Sequence, residues 1–465
     1  MTLPMSFADP AEARDFLARH PDLRSIEMIL FDLNGVPRGK LLHRDELLTV
    51  YQRGRPLPAS ILGLTIRGED VDETGLVWDV ADADCLTFPL PGSLTLQPWR
   101  RRAPGTGPTG QLQVSMHPTL GLPAAIADPR HVLIRVIEAL KAEGFHPVMA
   151  VELEFCLFDR DRGADGRPEP ARQRNGQRPD APQVYGLAEL EEMQPFLDDL
   201  YAGAEVQGLP LRTAISEYGP GQLELTLDHR MDALQAVDEG LRYKRLVKGV
   251  AAAHGFQAAF MAKPLAGQAG NGMHLHLSLA DTEGRNLFAS DDAEGTPLLR
   301  QAIGGMRDRL AETLAIFCPH ANSYRRFQSQ SYAPVGRNWG VNNRTVSFRI
   351  PGGPPASRHV EHRICGADAN PYLAAAAALA AMADGIARRA DPGPATTGNG
   401  YAGAADDAIA ADWRSALGAL QASRWAQEAL GADFLRVFLA IKWAEYRQFA
   451  AEVGEQDWRW YLAHA

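Results

Sequence analysis

The stretch Val148-Met-Ala-Val-Glu-Leu-Glu-Phe-Cys-Leu-Phe158 alternates apolar and acidic side chains with a period of two residues. Because side chains alternate between the two faces of a strand, this period predicts a strand with one apolar face. The residues on that face are Met149, Val151, Leu153, Phe155 and Leu157. Glu152 and Glu154 share the other face, where two like charges are destabilising unless they share a cation or a proton. A solvent-exposed face would also tolerate them, so this motif alone leaves both interpretations open.

The segment Gly270-Asn-Gly-Met-His-Leu-His-Leu-Ser-Leu279 begins with a glycine turn. After the turn, its side chains alternate with a period of two residues, which predicts a second strand. Three leucines fall on one face, and His274, His276 and Ser278 fall on the other. A lone histidine beside a core strand is usually structural. Two histidines that alternate with a serine on a polar face indicate a binding site instead.

Two shorter motifs add further acidic side chains. In Ile215-Ser-Glu-Tyr-Gly-Pro-Gly-Gln-Leu-Glu-Leu-Thr-Leu227, a Gly-Pro-Gly turn separates Glu217 from Glu224, and a turn this tight can bring both carboxylates together. The motif Glu361-His-Arg363 places its two charged side chains on one strand face. These segments supply carboxylates from distant parts of the chain.

The combined donor set predicts a site for divalent cations. Its members are Glu152, Glu154, Glu217, Glu224, His274 and Glu361. Oxygen-rich sites favour Mg²⁺ or Mn²⁺ over Zn²⁺, and the sequence has no cysteine pair with zinc spacing. Since Mg²⁺ usually takes only one or two carboxylates and keeps several waters, we expect two or more ions to share these ligands.

Arginines occur in short clusters near these motifs. Asn322-Ser-Tyr-Arg-Arg-Phe327 and Asn343-Arg-Thr-Val-Ser-Phe-Arg-Ile-Pro351 contain most of them. Guanidinium groups bind carboxylate and phosphate through two parallel hydrogen bonds, although any one arginine is more often a solvated surface charge. Several arginines beside metal-bound phosphate are typical of phosphoryl transfer.

Composition and charge exclude several classes of protein. The net charge of −10 argues against a nucleic-acid-binding protein. The richest apolar run, from residue 372 to residue 383, is too short to cross a bilayer, and the first residues lack a secretory signal pattern. The four cysteines, at positions 85, 156, 318 and 365, have no paired spacing. We therefore expect reduced thiols and a cytoplasmic protein that binds neither nucleic acid nor membrane.

The order of predicted elements indicates an α+β fold in two domains. The stretch from Pro98 to Gly110, rich in proline, arginine and glycine, predicts a boundary between residues 1–110 and residues 111–465. A hairpin around Asn34-Gly35 belongs to the first domain. Helices are predicted at 11–20, 188–207, 231–254 and 297–317, after Asp128-Pro129, after Asn370-Pro371 and over the last sixty residues. Residues 159–183 and 389–406 are predicted loops.

In their order, these motifs resemble those of the glutamine synthetase family. The matching blocks are 151–155, 217–224, 272–278, 322–326, 343–351, 361–363 and 369–373, so the resemblance covers most of the chain from about residue 115. It implies a small N-terminal β-grasp domain before a large catalytic domain with a curved antiparallel sheet and flanking helices. It also implies a reaction in which ATP phosphorylates the side-chain carboxylate of glutamate and an amine attacks the γ-glutamyl phosphate.

The resemblance assigns roles to individual residues. Glu154, Glu217 and Glu224 would hold one ion, and Glu152, His274 and Glu361 a second. The nucleotide would lie at His276, Ser278, Arg344 and Arg349. Arg326, Arg363 and the backbone of Gly270 would bind glutamate, and Arg326, Arg344 and Tyr332 are the candidate catalytic residues. The resemblance further implies a homo-oligomer, a dodecamer of two stacked hexameric rings, in which the N-terminal domain completes a neighbouring active site.

The sequence departs from ammonium-using members of that family at two acidic positions. Leu62 falls where the N-terminal loop of those enzymes has aspartate, and Tyr332 stands before Ala333-Pro-Val335 where they have glutamate. Without these anions, an ammonium ion has little reason to leave water. The pattern resembles the γ-glutamylpolyamine and γ-glutamylputrescine synthetase branch, and we expect Tyr332, Leu62 and Leu64 to line a wider entrance for putrescine or another amine.

Three alternatives remain open from the sequence. The first is a glutamine synthetase that uses ammonium through a displaced pocket. The second is a non-catalytic relative that keeps the fold, although such a protein would be expected to lose metal ligands, and all six are present. The third is a guanidino kinase of the same fold, which the pair Arg326 and Arg363 argues against because it suits glutamate.

Overall fold

The computed structural model describes residues 7–100, 107–117, 127–402, 409–410 and 412–465. The N-terminal part is a sheet with two helices against it. Its elements are α1 (Pro10–Arg19), β1 (Ser25–Phe31), β2 (Pro37–His43), α2 (Leu47–Arg53), β3 (Arg55–Pro58), β4 (Asp84–Pro89), β5 (Thr95–Leu96) and β6 (Thr109–His117). The strand order is β2-β1-β6-β4-β3, with β5 also paired to β6. The predicted hairpin at Asn34-Gly35 is confirmed, because β1 and β2 pair antiparallel across it.

Strand β6 lies at the centre of the N-terminal sheet and crosses the boundary predicted from sequence. It pairs parallel to β1 and antiparallel to β4, and all nine of its residues are buried. Its polar side chains contact the rest of the protein: Ser115 Oγ lies 2.9 Å from His131 Nε2, and Gln113 donates to the Asp238 carbonyl. The sheet therefore continues to His117, and the predicted boundary at residues 110/111 falls inside a strand. The Pro98–Gly110 stretch that suggested the boundary ends in the first two residues of this strand.

The larger part of the chain is built on a second sheet. Its elements are α3 (Pro129–Ala142), β7 (His146–Asp159), α4 (Leu187–Glu192), α5 (Gln194–Val206), β8 (Leu211–Ser216), β9 (Gln222–Leu227), α6 (Ala233–Ala253), β10 (Phe256–Ala259), β11 (Met273–Ala280), α7 (Pro297–Asp308), α8 (Leu310–Phe317), β12 (Trp339–Val341), β13 (Phe348–Ile350), β14 (Val360–His362), α9 (Pro371–Arg388), α10 (Trp413–Ala422), α11 (Arg424–Leu430), α12 (Ala432–Ala451) and α13 (Glu455–Tyr461). The strand order is β12-β13-β14-β11-β7-β9-β8, with β10 also paired to β7.

The fold class predicted from the sequence, an α+β protein with a small N-terminal sheet followed by a large sheet flanked by helices, is confirmed. One detail differs, because the large sheet is mixed rather than wholly antiparallel: β12 and β13 run parallel. Two long predicted helices are each divided. Met193 separates α4 from α5, directly before a turn that contains Pro195, and Arg309 separates α7 from α8.

The large sheet packs its apolar face against α6 and carries its polar face toward a cavity. The five apolar side chains predicted for the core face of β7 are all buried. Gly240 of α6 lies against Val151 of β7, where an added Cβ would be 3.4 Å from the valine side chain. Helix α9 begins as predicted, with Asn370 accepting from the Tyr372 amide and proline in the first turn. Burial of one face fixes which side chains of β7 reach the cavity.

Two polar contacts join the N-terminal hairpin to the larger part. Asn370 Nδ2 donates to the Asp32 carbonyl at 2.9 Å, which ties the start of α9 to the hairpin turn. On α12, the buried ammonium of Lys442 binds Glu445 Oε2 at 2.8 Å and Asn34 Oδ1, while Glu445 Oε1 accepts from Asn34 Nδ2 at 3.1 Å. These contacts fix the position of the hairpin relative to the large sheet.

The structure bears on two properties considered for the whole chain, membrane-spanning helices and disulfide bonds. No helix in the described part of the chain combines the length and apolar character needed to cross a membrane. All four cysteines are buried and free of disulfides.

Candidate active site

Strand register brings the predicted acidic and histidine side chains of the large sheet face to face. In the antiparallel pair β7–β11, His274 lies opposite Glu152, and in β11–β14, His276 lies opposite Glu361. In β7–β9, Glu154 lies opposite Glu224. Because opposed residues have Cβ atoms about 5 Å apart, these three pairs place their side chains on one patch of the sheet.

The ligand atoms form two overlapping groups. Glu152, Glu224 and His274 offer donor atoms within 4.8 Å of one another, and so do Glu152, His276 and Glu361. We call these five residues the carboxylate–histidine cluster. Glu152 belongs to both groups: it lies 2.6 Å from His274 Nδ1 and 3.3 Å from His276 Nε2. The family resemblance predicted a different division of the ligands between the two ions. It grouped Glu152 with His274 and Glu361, and it assigned His276 to the nucleotide.

The other two predicted ligands border the same cavity without joining either group. Glu154 Oε2 accepts from the Gly272 amide at 2.6 Å, and Gln222 Nε2 lies 3.5 Å from it. Glu217 lies in the turn before β9, where its amide donates to the Gln222 carbonyl. Both carboxylates line the cavity with Glu152, Glu224 and His274. The assignment of Glu154 and Glu217 as ligands stays a prediction.

Mutual repulsion among the carboxylates governs the electrostatics of the cavity. Burial, followed by repulsion from Glu154 and Glu152, raises the pKa of Glu217 to about 8. Burial and the same neighbours hold the pKa of Glu224 well above its usual range. Burial alone would raise the pKa of Glu152, but hydrogen bonds from His274 and His276 bring it well below that range. Uncompensated carboxylates of this kind are stabilised by a bound cation.

The donor set fits divalent cations of the Mg²⁺ and Mn²⁺ type. Carboxylate oxygens predominate, two imidazoles are within reach, and no cysteine lies in the groups. A single ion would leave several carboxylates unneutralised in a buried site, so the set suits more than one ion.

The predicted arginines occupy different positions around the cluster. Arg326 and Arg363 are both buried and line the cavity; Arg326 Nη1 donates to the Ile364 carbonyl at 2.9 Å, and Arg363 is paired with Glu361. Arg344 is exposed, lines the cavity and lies close enough to Glu217 to lower its pKa in part. Arg349 donates to Glu361 Oε2 at 2.6 Å and does not line the cavity.

Glu361 forms ion pairs with two of these arginines, Arg349 and Arg363. Burial would raise its pKa, but Arg363, His276 and His274 lower the pKa to about 2. The carboxylate is therefore ionised at physiological pH, and it holds Arg363 and Arg349 in place through charge-assisted hydrogen bonds.

Gly270 lies where only glycine fits. A Cβ at this position would meet the Ala262 carbonyl oxygen at 2.4 Å and Arg326 Cγ at 2.7 Å. Its own carbonyl accepts from Gln222 Nε2 at 3.0 Å. The glycine therefore allows the buried stem of Arg326 to pass close to the backbone, with the guanidinium directed into the cavity.

Ser278 and His276 lie farther along β11 than the cavity lining. His276 Nδ1 contacts His359 Nε2 at 2.9 Å, a partner that sequence reasoning did not identify. Burial and His276 lower the pKa of His359 to about 4, so this histidine is neutral at physiological pH. Ser278 is partly buried one step beyond His276, outside the cavity. Their nucleotide role stays a prediction.

Three tyrosines form the outer edge of the cavity: Tyr185, Tyr218 and Tyr332, which we call the tyrosine rim. The rings of Tyr218 and Tyr332 have centroids 4.6 Å apart. Tyr185 and Tyr332 have positive φ angles of 56° and 58°, a conformation that is costly for a bulky residue and that clusters at functional sites. Sequence reasoning singled out only Tyr332. Tyr218 could have been noticed beside Glu217, whereas the loop position of Tyr185 gave no signal.

Leu62 and Leu64 do not line the cavity of their own chain. Leu62 is fully buried in the N-terminal core, and the carbonyl of Leu64 accepts from Asn34 Nδ2 at 3.3 Å. The expectation that they line an amine entrance therefore does not hold within a single chain.

Comparison with known proteins gives the family of this site. Residues 126–461 match the family model described as glutamine synthetase, catalytic domain. The chain is 36% identical over 461 residues to γ-glutamylputrescine synthetase PuuA of Escherichia coli (strain K12), covering 98% of this chain and 95% of that protein. It is 29% identical to a glutamate–isopropylamine ligase of a Pseudomonas species, with 97% of each chain covered.

A solved structure agrees with the sequence comparison. A GmaS/ADP complex superposes with a TM-score of 0.82 at 28% identity, covering 98% of this chain and 99% of that one. With 98% of this chain covered, the superposition includes both sheets. The chain belongs to the glutamine synthetase family, whose ligases use ATP and divalent metal ions.

Proposed function

We propose that this glutamate–amine ligase joins the γ-carboxylate of glutamate to an alkylamine, with putrescine as the first candidate. The observation that carries the proposal is the tyrosine rim at the outer edge of the cavity, where Tyr332 stands at the position at which the ammonium-using members of the family have glutamate. The similarity to enzymes named for putrescine and isopropylamine supports an organic amine as the second substrate. ADP and phosphate would be released with each bond formed.

The residues of the cavity suit the first half of the reaction. The carboxylate–histidine cluster, with Glu154 and Glu217, would hold two or more Mg²⁺ or Mn²⁺ ions. Bound there, the ions would supply charge neutralisation at the phosphoryl group of ATP. Arg344, exposed at the cavity edge, would contact the same phosphoryl group, and neutralisation and alignment of this kind supply most of the catalysis of phosphoryl transfer.

Glutamate binding is assigned to the part of the cavity wall beside Glu361, with which Arg363 is paired. Arg326 and Arg363 are buried there with guanidinium groups that border the cavity. Two fixed guanidinium groups can hold a carboxylate through parallel hydrogen bonds and direct the other carboxylate toward the cluster. The Gly270 carbonyl is close to Arg326 and suits the amino group of glutamate.

The amine is assigned to the tyrosine rim. An alkylammonium gains from contact of its charge with the face of an aromatic ring and from burial of its carbon chain, whereas ammonium has no carbon chain to bury. Tyr218 and Tyr332 are 37% and 43% exposed, so their ring faces are available at the cavity mouth. The rim therefore favours an organic amine over ammonium.

A panel of amines tests the proposal. ADP release is measured at saturating ATP and glutamate with putrescine, spermidine, ethanolamine, isopropylamine and ammonium. We expect at least one organic amine to exceed ammonium by about tenfold or more in kcat/KM, which corresponds to about 1.4 kcal/mol. Ammonium turnover equal to the best amine would instead assign the chain to glutamine synthesis, and no turnover with any amine, together with no Mg²⁺ binding, would assign it to the non-catalytic relatives.

Two wider properties are proposed on the same basis. A cytoplasmic location is supported by the four free, buried cysteines. Assembly into rings, as a dodecamer, is supported by the position of Leu62 and Leu64, which reach no cavity of their own chain although the loop they belong to aligns with an active-site loop of the family. Light scattering of the purified protein measures the number of subunits directly.

A further inference from the structure

A second cavity, of about 630 Å³, lies between the N-terminal hairpin and the larger part of the chain. The hairpin turn Asn34–Pro37 forms one wall, and the last turns of α12 form another. The floor consists of β10 and the residues that follow it, as far as Pro264. None of its lining residues belongs to the cavity of the active site. A volume of this size suits a small organic molecule.

Two lysines one helical turn apart on α6 give this cavity its charge. The ammonium groups of Lys244 and Lys248 lie over the same ring of Phe260, at 5.0 Å and 5.9 Å from its centroid. In the ranges that the structure describes, no carboxylate oxygen lies within 4 Å of either ammonium. Arg162, at the cavity edge, contacts only the Gln257 amide among its described side-chain partners. We call this cavity the basic cleft.

The acidic side chains of the basic cleft are mostly engaged elsewhere. The carboxylate of Glu445 binds Lys442, Asn34 and the Ile66 amide, and Asp368 accepts from Ser323 Oγ at 2.7 Å. Asp368 still lies close enough to Lys244 to raise the pKa of that lysine, and Glu452 is exposed at the rim. With Lys244, Lys248 and Arg162 set against Asp368 and Glu452, the cleft has a local excess of positive charge in a chain of net charge −10.

The two lysines destabilise one another without an anion. Burial, followed by repulsion from Lys248, lowers the pKa of Lys244 to about 7. A bound anion would reverse this effect, because an opposite charge favours the charged form of both groups. Ammonium groups that lack carboxylate partners in a partly enclosed cavity are typical of anion-binding sites.

The rest of the wall is apolar and aromatic. Phe158, Phe260, Met261, Trp413 and Phe449 line the cleft, and Phe449 is 52% exposed. Met261 is also exposed, at 46%, so an inorganic anion would leave these two side chains in contact with water, whereas an anion with a carbon skeleton would bury them.

We propose that the basic cleft binds an organic anion, whose carboxylate or phosphate group contacts Lys244 and Lys248 and whose apolar part packs against Phe449 and Trp413. The basic cleft shares no lining residue with the active-site cavity, so the proposal does not depend on which amine the enzyme uses.

A short chain of hydrogen bonds leads from the cleft to the active site. Lys244 Nζ donates to the Ala367 carbonyl at 2.8 Å, and the Ala367 amide donates to the Asn271 carbonyl at 3.1 Å. Asn271 Oδ1 in turn accepts from Gln222 Nε2, the side chain that holds the Gly270 carbonyl. An anion that reorients Lys244 acts on the segment beside Arg326, and we expect occupancy to change the KM for glutamate.

Calorimetry on the full-length protein tests the site. Phenyl phosphate and benzoate are titrated in the presence of saturating Mg²⁺, ADP and glutamate, so that the metal, nucleotide and glutamate positions of the active site are occupied, and benzyl alcohol serves as the uncharged analogue. We expect at least one anion to bind with a Kd below about 1 mM and benzyl alcohol to bind at least tenfold more weakly. The stronger of the two anions identifies the charged group as carboxylate or phosphate. Inorganic phosphate measures how much affinity the charge alone supplies.

Substitutions locate the binding. The double variant Lys244→Met/Lys248→Met is expected to weaken anion binding by about tenfold or more, since it removes both ammonium groups. Lys141→Met, an exposed lysine paired with Glu138 on α3, is the matched control and should leave the Kd unchanged. If the double variant fails to fold, Lys248→Gln, at an exposed position, is expected to weaken binding about threefold. Absence of anion binding, a Kd that these variants leave unchanged, or equal binding of benzyl alcohol would overturn the proposal.

Discussion

The carboxylate–histidine cluster and the tyrosine rim border one cavity, but the first is built on strands and the second on loops. Glu152, His274 and Glu361 owe their positions to the register of β7, β11 and β14, which burial of the opposite face fixes. Tyr185 and Tyr332 owe theirs to left-handed backbone conformations in irregular segments. The strand-built part is suited to chemistry common to a family, and the loop-built part can change to suit a different amine without disturbing the sheet.

The strongest test of the strand-built part is Glu152→Gln. This change keeps the size of the side chain and removes the one carboxylate that both ligand groups share. Metal ions stabilise the transition state by several kcal/mol, so we expect ADP release to fall by about a thousandfold. Calorimetry should show the loss of at least one bound Mg²⁺. Glu283→Gln, at an exposed turn after β11, is the control, and near-normal turnover in Glu152→Gln would remove the cluster from the mechanism.

The pH dependence of metal binding tests the repulsion among the carboxylates. The pKa of Glu217 is raised to about 8, so below that pH an incoming ion must displace a proton. Displacement of this proton is therefore expected to make the affinity for Mg²⁺ rise by up to about tenfold per pH unit between about pH 6 and about pH 8, and Glu224, whose pKa is also raised, should add to this slope. Glu217→Gln should bind more weakly and with a shallower slope. An affinity that is constant over this range would contradict the shifted pKa.

Gly270→Ala tests the wall that is assigned to glutamate. The new Cβ would overlap the Ala262 carbonyl and the stem of Arg326, so the guanidinium must move. A displacement approaching 1 Å at a positioning group costs up to a hundredfold, and we expect kcat/KM for glutamate to fall by about thirtyfold, mainly through KM. Gly418→Ala, where a Cβ meets nothing within 4 Å, is the control. An unchanged KM for glutamate would show that Arg326 has another role.

The smallest expected effect belongs to the loop-built part. Tyr332→Leu removes an aromatic face worth about 1 kcal/mol to a bound ammonium group, so kcat/KM for the best amine should fall by about fivefold. The KM values for ATP and glutamate should not change, and Tyr332→Phe, which keeps the ring, should behave like the parent enzyme. Equal losses for all three substrates would indicate a general disturbance of the loop and would weaken the contrast between the two regions.

The same contrast explains how much of the site could be predicted from the sequence. A period of two residues placed Glu152 and His274 on strand faces, and pairing in the folded sheet then brought them together. His276 was assigned to the nucleotide on the resemblance alone. Its contact with Glu152 depends on the pairing of β11 with β7, and its contact with His359 on the pairing of β11 with β14. Tyr185 could not be found, because a loop residue with positive φ leaves no periodic signal.

The fold shows a similar limit. Helices with a cap and a clear period, such as α3 and α9, begin where the sequence predicted. Strand β6 crosses the predicted domain boundary, because the Pro98–Gly110 stretch that suggested a linker ends inside it and its later polar side chains find buried partners at the start of α3, such as Asp128 and His131. The local amino-acid composition does not indicate which distant residues will be hydrogen-bond partners of a polar side chain.

The buried contact between Lys442, Glu445 and Asn34 has a consequence for how the chain comes apart. Removal of residues 1–110 would take Asn34 away from the Lys442 ammonium and the Glu445 carboxylate and expose this pair to water. It would also remove the first two residues of β6. A buried ion pair that loses its surroundings is strongly destabilising, so a truncated catalytic fragment should aggregate or be digested rather than persist alone. Heat should accordingly melt the intact protein in a single cooperative transition, with no separate signal from the small sheet.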